Sequence, residues 1–259
     1  MTTAPCTDGS APELLGTLAA DHATGALSTE TGVFYLSAGH VVHVESAHSP
    51  DLGDLLTRSG AVAPAGWWEA VERAGAVHGV GRQLVDSGRL TTGALELCHT
   101  GALFDAAYFA LAHDGAALRF RPGVGHWLGA VRPVPVATVL RESRRRRDLL
   151  HRIWPDPAVD TAPLTRAEGA ESAELPPRRG RTLALVDGGR TAAQIASALA
   201  CRTFHTLVEL RRLAADGLVT PAPPPPAMSV HSVPDASGAA WDEPDTALLR
   251  RLLDALEAL

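Results

Sequence analysis

Two stretches of the chain, Leu52 to Val71 (LGDLLTRSGAVAPAGWWEAV) and Val80 to His99 (VGRQLVDSGRLTTGALELCH), align without a gap. Gly53, Leu56, Ser59 and Gly60 recur as Gly81, Leu84, Ser87 and Gly88 at a constant offset of 28 residues. A repeat of this length means one supersecondary unit used twice, because a unit that cannot bury its apolar face alone packs against its copy. Both copies carry helical periodicity, so a duplicated helical element must sit inside whatever fold the rest of the chain supplies.

The segments around the repeat are short and mixed. Pro12 to Ala20 reads as an amphipathic helix with Pro in its first turn. Gly25 to Thr29, Val33 to Ser37 and His40 to Ser46 read as three strands of a small antiparallel meander, joined by turns at Thr31-Gly32 and Ala38-Gly39. Leu103 to Ala112 is helical, Ala117 to Arg121 alternates as a strand that stops at Pro122-Gly123, and Val136 to Trp154 is a helix carrying Arg144 to Arg147. The predicted class is therefore α+β: a small antiparallel sheet with a helical tandem repeat, followed by a winged-helix-like module and a tethered C-terminal helix.

The 259 residues have room for one large or two small domains. No run approaches the ~18 apolar residues of a membrane helix, and no membrane association is expected. Met1 to Pro12 lacks a basic start and an apolar core, so secretion is not indicated and a cytoplasmic location is expected. Cys6, Cys98 and Cys201 are dispersed, with no CxxC pair to suggest a disulfide framework or structural zinc. Lys is absent, and the net charge of −6 divides unevenly: −6 over residues 1–140, +4 over 141–220 and −4 over 221–259. Only the middle segment can attract a polyanion.

Domain limits follow from these changes in composition. Residues 11–154 form an N-terminal interaction or sensory domain, and 155–180, rich in Pro, Ala, Glu and Thr, read as a linker. Residues 181–221 form a compact basic module, 222–240 a Pro-rich spacer, and 241–259 an amphipathic helix whose Leu248, Leu249, Leu252, Leu253 and Leu256 are candidates for docking a partner or forming a homodimer seam. The run Arg144 to Arg147 covers every face of its helix and reads as a solvated helix end or a polyanion contact.

The order LLGTLAADHATGALSTETGVFYLSAGHVVHVESAHSPDLGDLL resembles the PATAN type of signalling domain. The matching pieces are Gly25-Ala26-Leu27, Val33 to Val44, Gly53 to Leu56 and Gly115 to Phe120, within residues 11 to 124. That resemblance implies a bacterial interaction module without enzymatic activity. The repeat itself is similar to the tandem motif of secretion-ATPase N-terminal domains, which implies binding of cyclic di-GMP. The apolar and glycine skeleton of that motif is kept, but Asp51 and Gly79 stand where it opens with Arg, and Ala74 and Ala102 where it closes with Gln. A carboxylate at Asp51 repels a diphosphate; Arg58, Arg82 and Arg89 offer substitute cations from other positions.

Within 181–221, Thr191 is placed to cap a helix over Ala192 to Leu199, Thr203 starts a second helix, Gly217 stops it, and Leu218 to Thr220 follows as a strand. This order resembles the winged helix-turn-helix superfamily. The resemblance implies that Arg202, Thr203, His205 and Thr206 meet base edges while Arg190, Arg211 and Arg212 lie near phosphates. Pro221 to Pro226 replaces the basic wing, so DNA affinity would need a dimer or the arm Arg178, Arg179 and Arg181.

Catalytic signatures do not occur: the chain has no GxxxxGK[ST], no GxSxG and no paired-carboxylate motif. His40, His43 and His48 are close in sequence, but His40 and His43 point to opposite faces of a strand and do not converge without a bend, so no metal and no cofactor are expected. The expectation is a bacterial transcriptional regulator that couples a PATAN-like domain to a DNA-binding winged helix. The alternatives are a non-DNA-binding adaptor for a GTPase, roadblock protein or response regulator, and a cyclic di-GMP receptor.

Overall fold

The computed structural model describes residues 10–112, 118–170 and 173–222. Helix α1 (Ala11–Ala20) starts at a capping box in which the Ser10 hydroxyl accepts the Glu13 N–H and the Glu13 carboxylate accepts the Ser10 N–H. Strands β1 (Gly25–Ser28), β2 (Gly32–Ser37) and β3 (His40–Ser46) form the expected meander. Two later strands, β4 (Arg119–Pro122) and β5 (Val134–Pro135), join its edges to give an antiparallel sheet of order β4-β1-β2-β3-β5. The mixed helix-and-sheet class is thus α+β, as the sequence predicts.

The register of β2 on β3 shifts between Tyr35, opposite His43, and Leu36, opposite Val41. Val42 is therefore an extra residue on β3, a β-bulge. It lets Val41 and Val44 both reach the core that Phe34 and Leu36 form with α1, while His43 and Glu45 share the opposite face.

The repeat appears as two helix pairs in step. Helices α2 (Leu52–Arg58) and α3 (Pro64–Ala74) are answered by α4 (Val80–Asp86) and α5 (Thr92–Ala110), each start displaced by the same 28 residues. Leu56 and Leu84 are fully buried, and Trp67 packs where Leu95 does in the second copy. Gly60 and Gly88 follow the two short helices with φ of 74° and 71°, the left-handed conformation in which a side chain is strained. The copies differ at their ends: α5 continues through the helix expected at Leu103 to Ala112 and becomes the central helix of the molecule.

Helix α6 (Val136–Ile153) packs on α1 and α5. The segment 155–180 is not a featureless linker: it contains α7 (Ala158–Thr161), β6 (Leu164–Arg166) and the start of α8 (Pro177–Ala184). Its elements span three or four residues before α8, too short to show periodicity, yet Val159, Leu164 and Ala170 are buried. Helices α9 (Ala192–Ala198) and α10 (Thr203–Ala215) and strand β7 (Val219–Pro221) lie close to their expected limits, with Thr191 and Gln194 forming a capping box on α9. Strand β6 pairs antiparallel with β7.

The split into an N-terminal domain, a linker and a separate basic module does not hold, because the described residues all belong to one compact unit. Tyr108 and Phe109 of α5 share a core with Leu150, Ile195, Leu207 and Leu210, so the helix pair α9–α10 is built onto the end of the central helix. The Pro-rich spacer 222–240 beyond Ala222 and the candidate docking leucines Leu248, Leu249, Leu252, Leu253 and Leu256 lie outside the described residues.

Candidate functional site

The candidate DNA-contacting residues occupy α10 and its approach, and the fold treats them unequally. Thr203, Thr206 and Arg211 are buried, which corrects their assignment to base edges and phosphates: a buried side chain cannot enter a groove. Arg202 is half-buried, its guanidinium lying against Gly101 so closely that a Cβ there would overlap it. Arg190, His205 and Arg212 are exposed. Burial, with Arg202 next, lowers the proton affinity of His205.

Two buried ion pairs fix α10 in this position. The Phe204 N–H donates to Asp105 Oδ2 at 3.2 Å, and Arg146 Nη1 donates to Asp105 Oδ1 at 2.7 Å. Arg146 also reaches Glu142 at 3.0 Å and lies 4.4 Å from the centre of the Phe204 ring, a cation–π contact. Further along, Arg211 grips Asp160 with Nε at 2.7 Å and Nη2 at 2.8 Å, and donates to the Trp154 carbonyl. Tyr108 donates its hydroxyl to the same carboxylate. Burial opposes the Arg211 charge, but the two-pronged contact with Asp160 outweighs it and keeps the guanidinium protonated.

The arginine run divides accordingly. Arg146 is the buried member, Arg147 donates to the Leu111 carbonyl, and Arg144 and Arg145 face solvent. With Arg141, Arg152, Leu140 and Asp148 the two exposed arginines line a shallow groove of about 560 Å³ along α6.

At the repeat, Asp51 and Gly79 are the residues that precede α2 and α4, and the Asp51 side chain accepts the Asp54 N–H. Arg58 pairs with Asp54 and Arg89 with Glu69, whereas Arg82 lines a cleft of about 730 Å³ with Arg73, His78 and Gln83.

On the other flank of α5 lies a cluster that the sequence reading did not find. His43 and Glu45 project from β3, His99 from α5 and His126 from the loop after β4. The His43 and His126 rings stack with centroids 3.9 Å apart, and His43 Nδ1 lies 3.3 Å from His99 Nε2. His126 Nδ1 accepts the Leu128 N–H at 3.2 Å, so its Nε2 carries the hydrogen shared with Glu45 Oε1 at 2.9 Å. Tyr35 donates to Glu45 Oε2 at 3.1 Å. One nitrogen or oxygen from each of His43, Glu45 and His126 falls within 4.8 Å of the others, a spacing within reach of a shared metal ion.

The three histidines that lie close in sequence do not come together. His40 is exposed at the strand end and His48 packs on Phe109, so neither joins His43. The partners of His43 come instead from positions distant in sequence, and the one local clue was the i, i+2 placement of His43 and Glu45 on a strand face.

The environment disfavours the charged form of two of these imidazoles, His43 and His99. Burial, then the neighbouring histidines, pushes His43 well below the ordinary histidine range. Burial brings His99 down to about 4 against an opposing hydrogen bond with the Val42 backbone. The hydrogen bond from His126 holds the Glu45 carboxyl low despite partial burial, and burial together with Glu45 pushes the Tyr35 hydroxyl up to about 12. The cluster opens through His43 and Glu45 onto a cleft of about 700 Å³, lined also by Glu30, Asp51 and Asp54 and, among the described residues, by no Arg.

Comparison of the chain with protein-family models, with curated proteins and with solved structures found no match.

Proposed function

We propose that this chain is a non-enzymatic signalling adaptor that binds a protein partner and does not read DNA through α10. The observation that carries this reading is the burial of Thr203 and Thr206, two of the positions expected at base edges, and of Arg211, expected near phosphates and held instead by Asp160 of α7. Freeing that face means breaking the buried Arg211–Asp160 pair and the Phe204 N–H contact with Asp105, an expense of several kcal/mol that phosphate contacts would have to offset. The exposed Arg141, Arg144, Arg145 and Arg152 on α6 give the adaptor a cationic face suited to an acidic partner surface. No helix among the described residues is long and apolar enough to cross a membrane. A cytoplasmic location is part of the proposal.

Co-purification from the native host tests the reading with two double variants. A stoichiometric protein partner that is lost on R144E/R145E and kept on R202A/R212A is expected. A low-salt mobility shift with the chain's own promoter that disappears in R202A/R212A would instead establish the second reading, a transcriptional regulator, which draws on the exposed Arg190, His205 and Arg212 beside a well-formed helix pair. The cyclic di-GMP alternative rests on the Arg73, Arg82 and Gln83 cleft, and calorimetry with that nucleotide decides it.

A further inference from the structure

We propose that His43, Glu45 and His126 form a binding site for a divalent transition-metal ion, with Zn²⁺ the best fit, opening onto the acidic cleft. Two imidazole nitrogens and one carboxylate oxygen within 4.8 Å of one another make a three-ligand set. Three protein ligands with an open fourth position are a recurrent zinc arrangement.

The surroundings match what ligating groups need. A metal-bound imidazole presents one nitrogen to the ion and donates a hydrogen from the other to a fixed acceptor, which sets its tautomer. His43 has that arrangement: its Nδ1 faces His99 Nε2 at 3.3 Å, and its Nε2 has no hydrogen-bond partner among the described residues. His99 is a positioning residue, for it touches the ion only through His43. Tyr35 plays the same part for the carboxylate, because its hydroxyl holds Oε2 at 3.1 Å while Oε1 faces the histidines. The ion has a path from solvent along the cleft, whose Glu30, Asp51 and Asp54 favour a cation.

Binding requires two local adjustments. A metal lies in the plane of each imidazole it joins, so the rings of His43 and His126, now stacked at 3.9 Å with planes 19° apart, turn out of their stack. His126 must also present Nε2 as a lone pair. The hydrogen that this atom now shares with Glu45 moves to Nδ1 by exchange with water, and the Leu128 amide gives up Nδ1 as its acceptor. No net proton leaves the site, and the ion takes the place of the shared hydrogen between His126 and Glu45.

The test uses the untagged full chain, stripped with a chelator and titrated with Zn²⁺ by calorimetry and with Co²⁺ by visible absorption. The expected result is one equivalent per chain, with a tetrahedral Co²⁺ spectrum that Zn²⁺ bleaches. E45Q and H126Q abolish it, H99Q weakens it by about ten- to a hundred-fold, and H40Q and H48Q leave it unchanged. E45Q alters a half-exposed side chain, and circular dichroism and gel filtration of each metal-free variant separate loss of the site from loss of the fold. Absence of uptake by the wild-type chain, or uptake unchanged in a folded E45Q, would overturn the proposal. So would an octahedral Co²⁺ spectrum that H126Q does not alter.

Discussion

Helix α5 has buried polar groups on two flanks, and they behave in opposite ways. Towards α10, Asp105 and the Tyr108–Asp160–Arg211 group are closed systems: both carboxylates have guanidinium partners, and the charges are neutralised where they stand. Towards β3, burial disfavours charge on His43 and His99, His43 Nε2 has no hydrogen-bond partner among the described residues, and the group opens to a cleft. A buried polar network that is fully satisfied acts as a fastening; one with an open lone pair and a route to solvent is ready for a ligand. The α10 seam therefore accounts for architecture, and the histidine cluster is where a small ligand belongs.

The largest expected effect that could break this comparison comes from Asp160→Ala. It leaves the Arg211 charge buried beside Tyr108 without its partner, and urea denaturation should show a loss of about 3–5 kcal/mol. A loss below about 1 kcal/mol would mean that the seam fastens nothing. Asp105→Ala should be milder, about 2–3 kcal/mol, because Arg146 keeps Glu142 at 3.0 Å while the Phe204 amide loses its acceptor. This variant also sharpens the functional reading. If low-salt DNA binding appears in Asp105→Ala and is absent from the wild type, the docked seam is a mask over a DNA-reading face.

Neither seam variant should change Zn²⁺ uptake, whereas Zn²⁺ at about one hundred times its Kd should stabilise the wild type by about 2.7 kcal/mol and leave H126Q unaffected. Equal stabilisation of H126Q would dissociate the ion from the cluster. The smallest effect concerns the two copies of the repeat. A Cβ at Gly53 would meet the rigid indole of Trp67 at 2.5 Å, while one at Gly81 would meet a Val131 methyl at 3.0 Å and the Leu128 carbonyl oxygen at 3.2 Å, a crowding that shifts of a few tenths of an ångström relieve. Gly53→Ala should lower the thermal midpoint more than Gly81→Ala, by about 1–2 kcal/mol in the corresponding stability; the reverse order would show that the second copy is the more tightly packed.

Much of the fold was legible because its signals are local. The Ser-Gly ends of α2 and α4 and the Thr191 cap each act over a few residues, the offset of 28 residues repeats one such local pattern, and each corresponds to an element in place. The segment 155–180 was illegible for the opposite reason. Its strand β6 gains its identity from pairing with β7, with Thr165 opposite Thr220, and nothing in three residues announces a partner so distant. The seam was hidden similarly: Arg211 has the composition of a phosphate contact, and only burial against Asp160 distinguishes a fastening from a DNA contact. His40, His43 and His48 attracted attention by proximity in sequence, while the cluster depends on His99 and His126, which the fold brings in from α5 and from a loop.

The extra residue in β3 has a consequence for how the chain can vary. Strand faces alternate, so Val41 and Val44, being three apart, would normally fall on opposite sides; inserting Val42 reverses the parity midway. Remove that one residue and Val41, His43, Val44 and Glu45 alternate without interruption, the valines still on the core face and His43 and Glu45 still on the other. Val42 is thus the position at which β3 can lose a residue and keep both of its faces, whereas a one-residue insertion elsewhere in the strand, with no second bulge to absorb it, would exchange them on one side of the insertion.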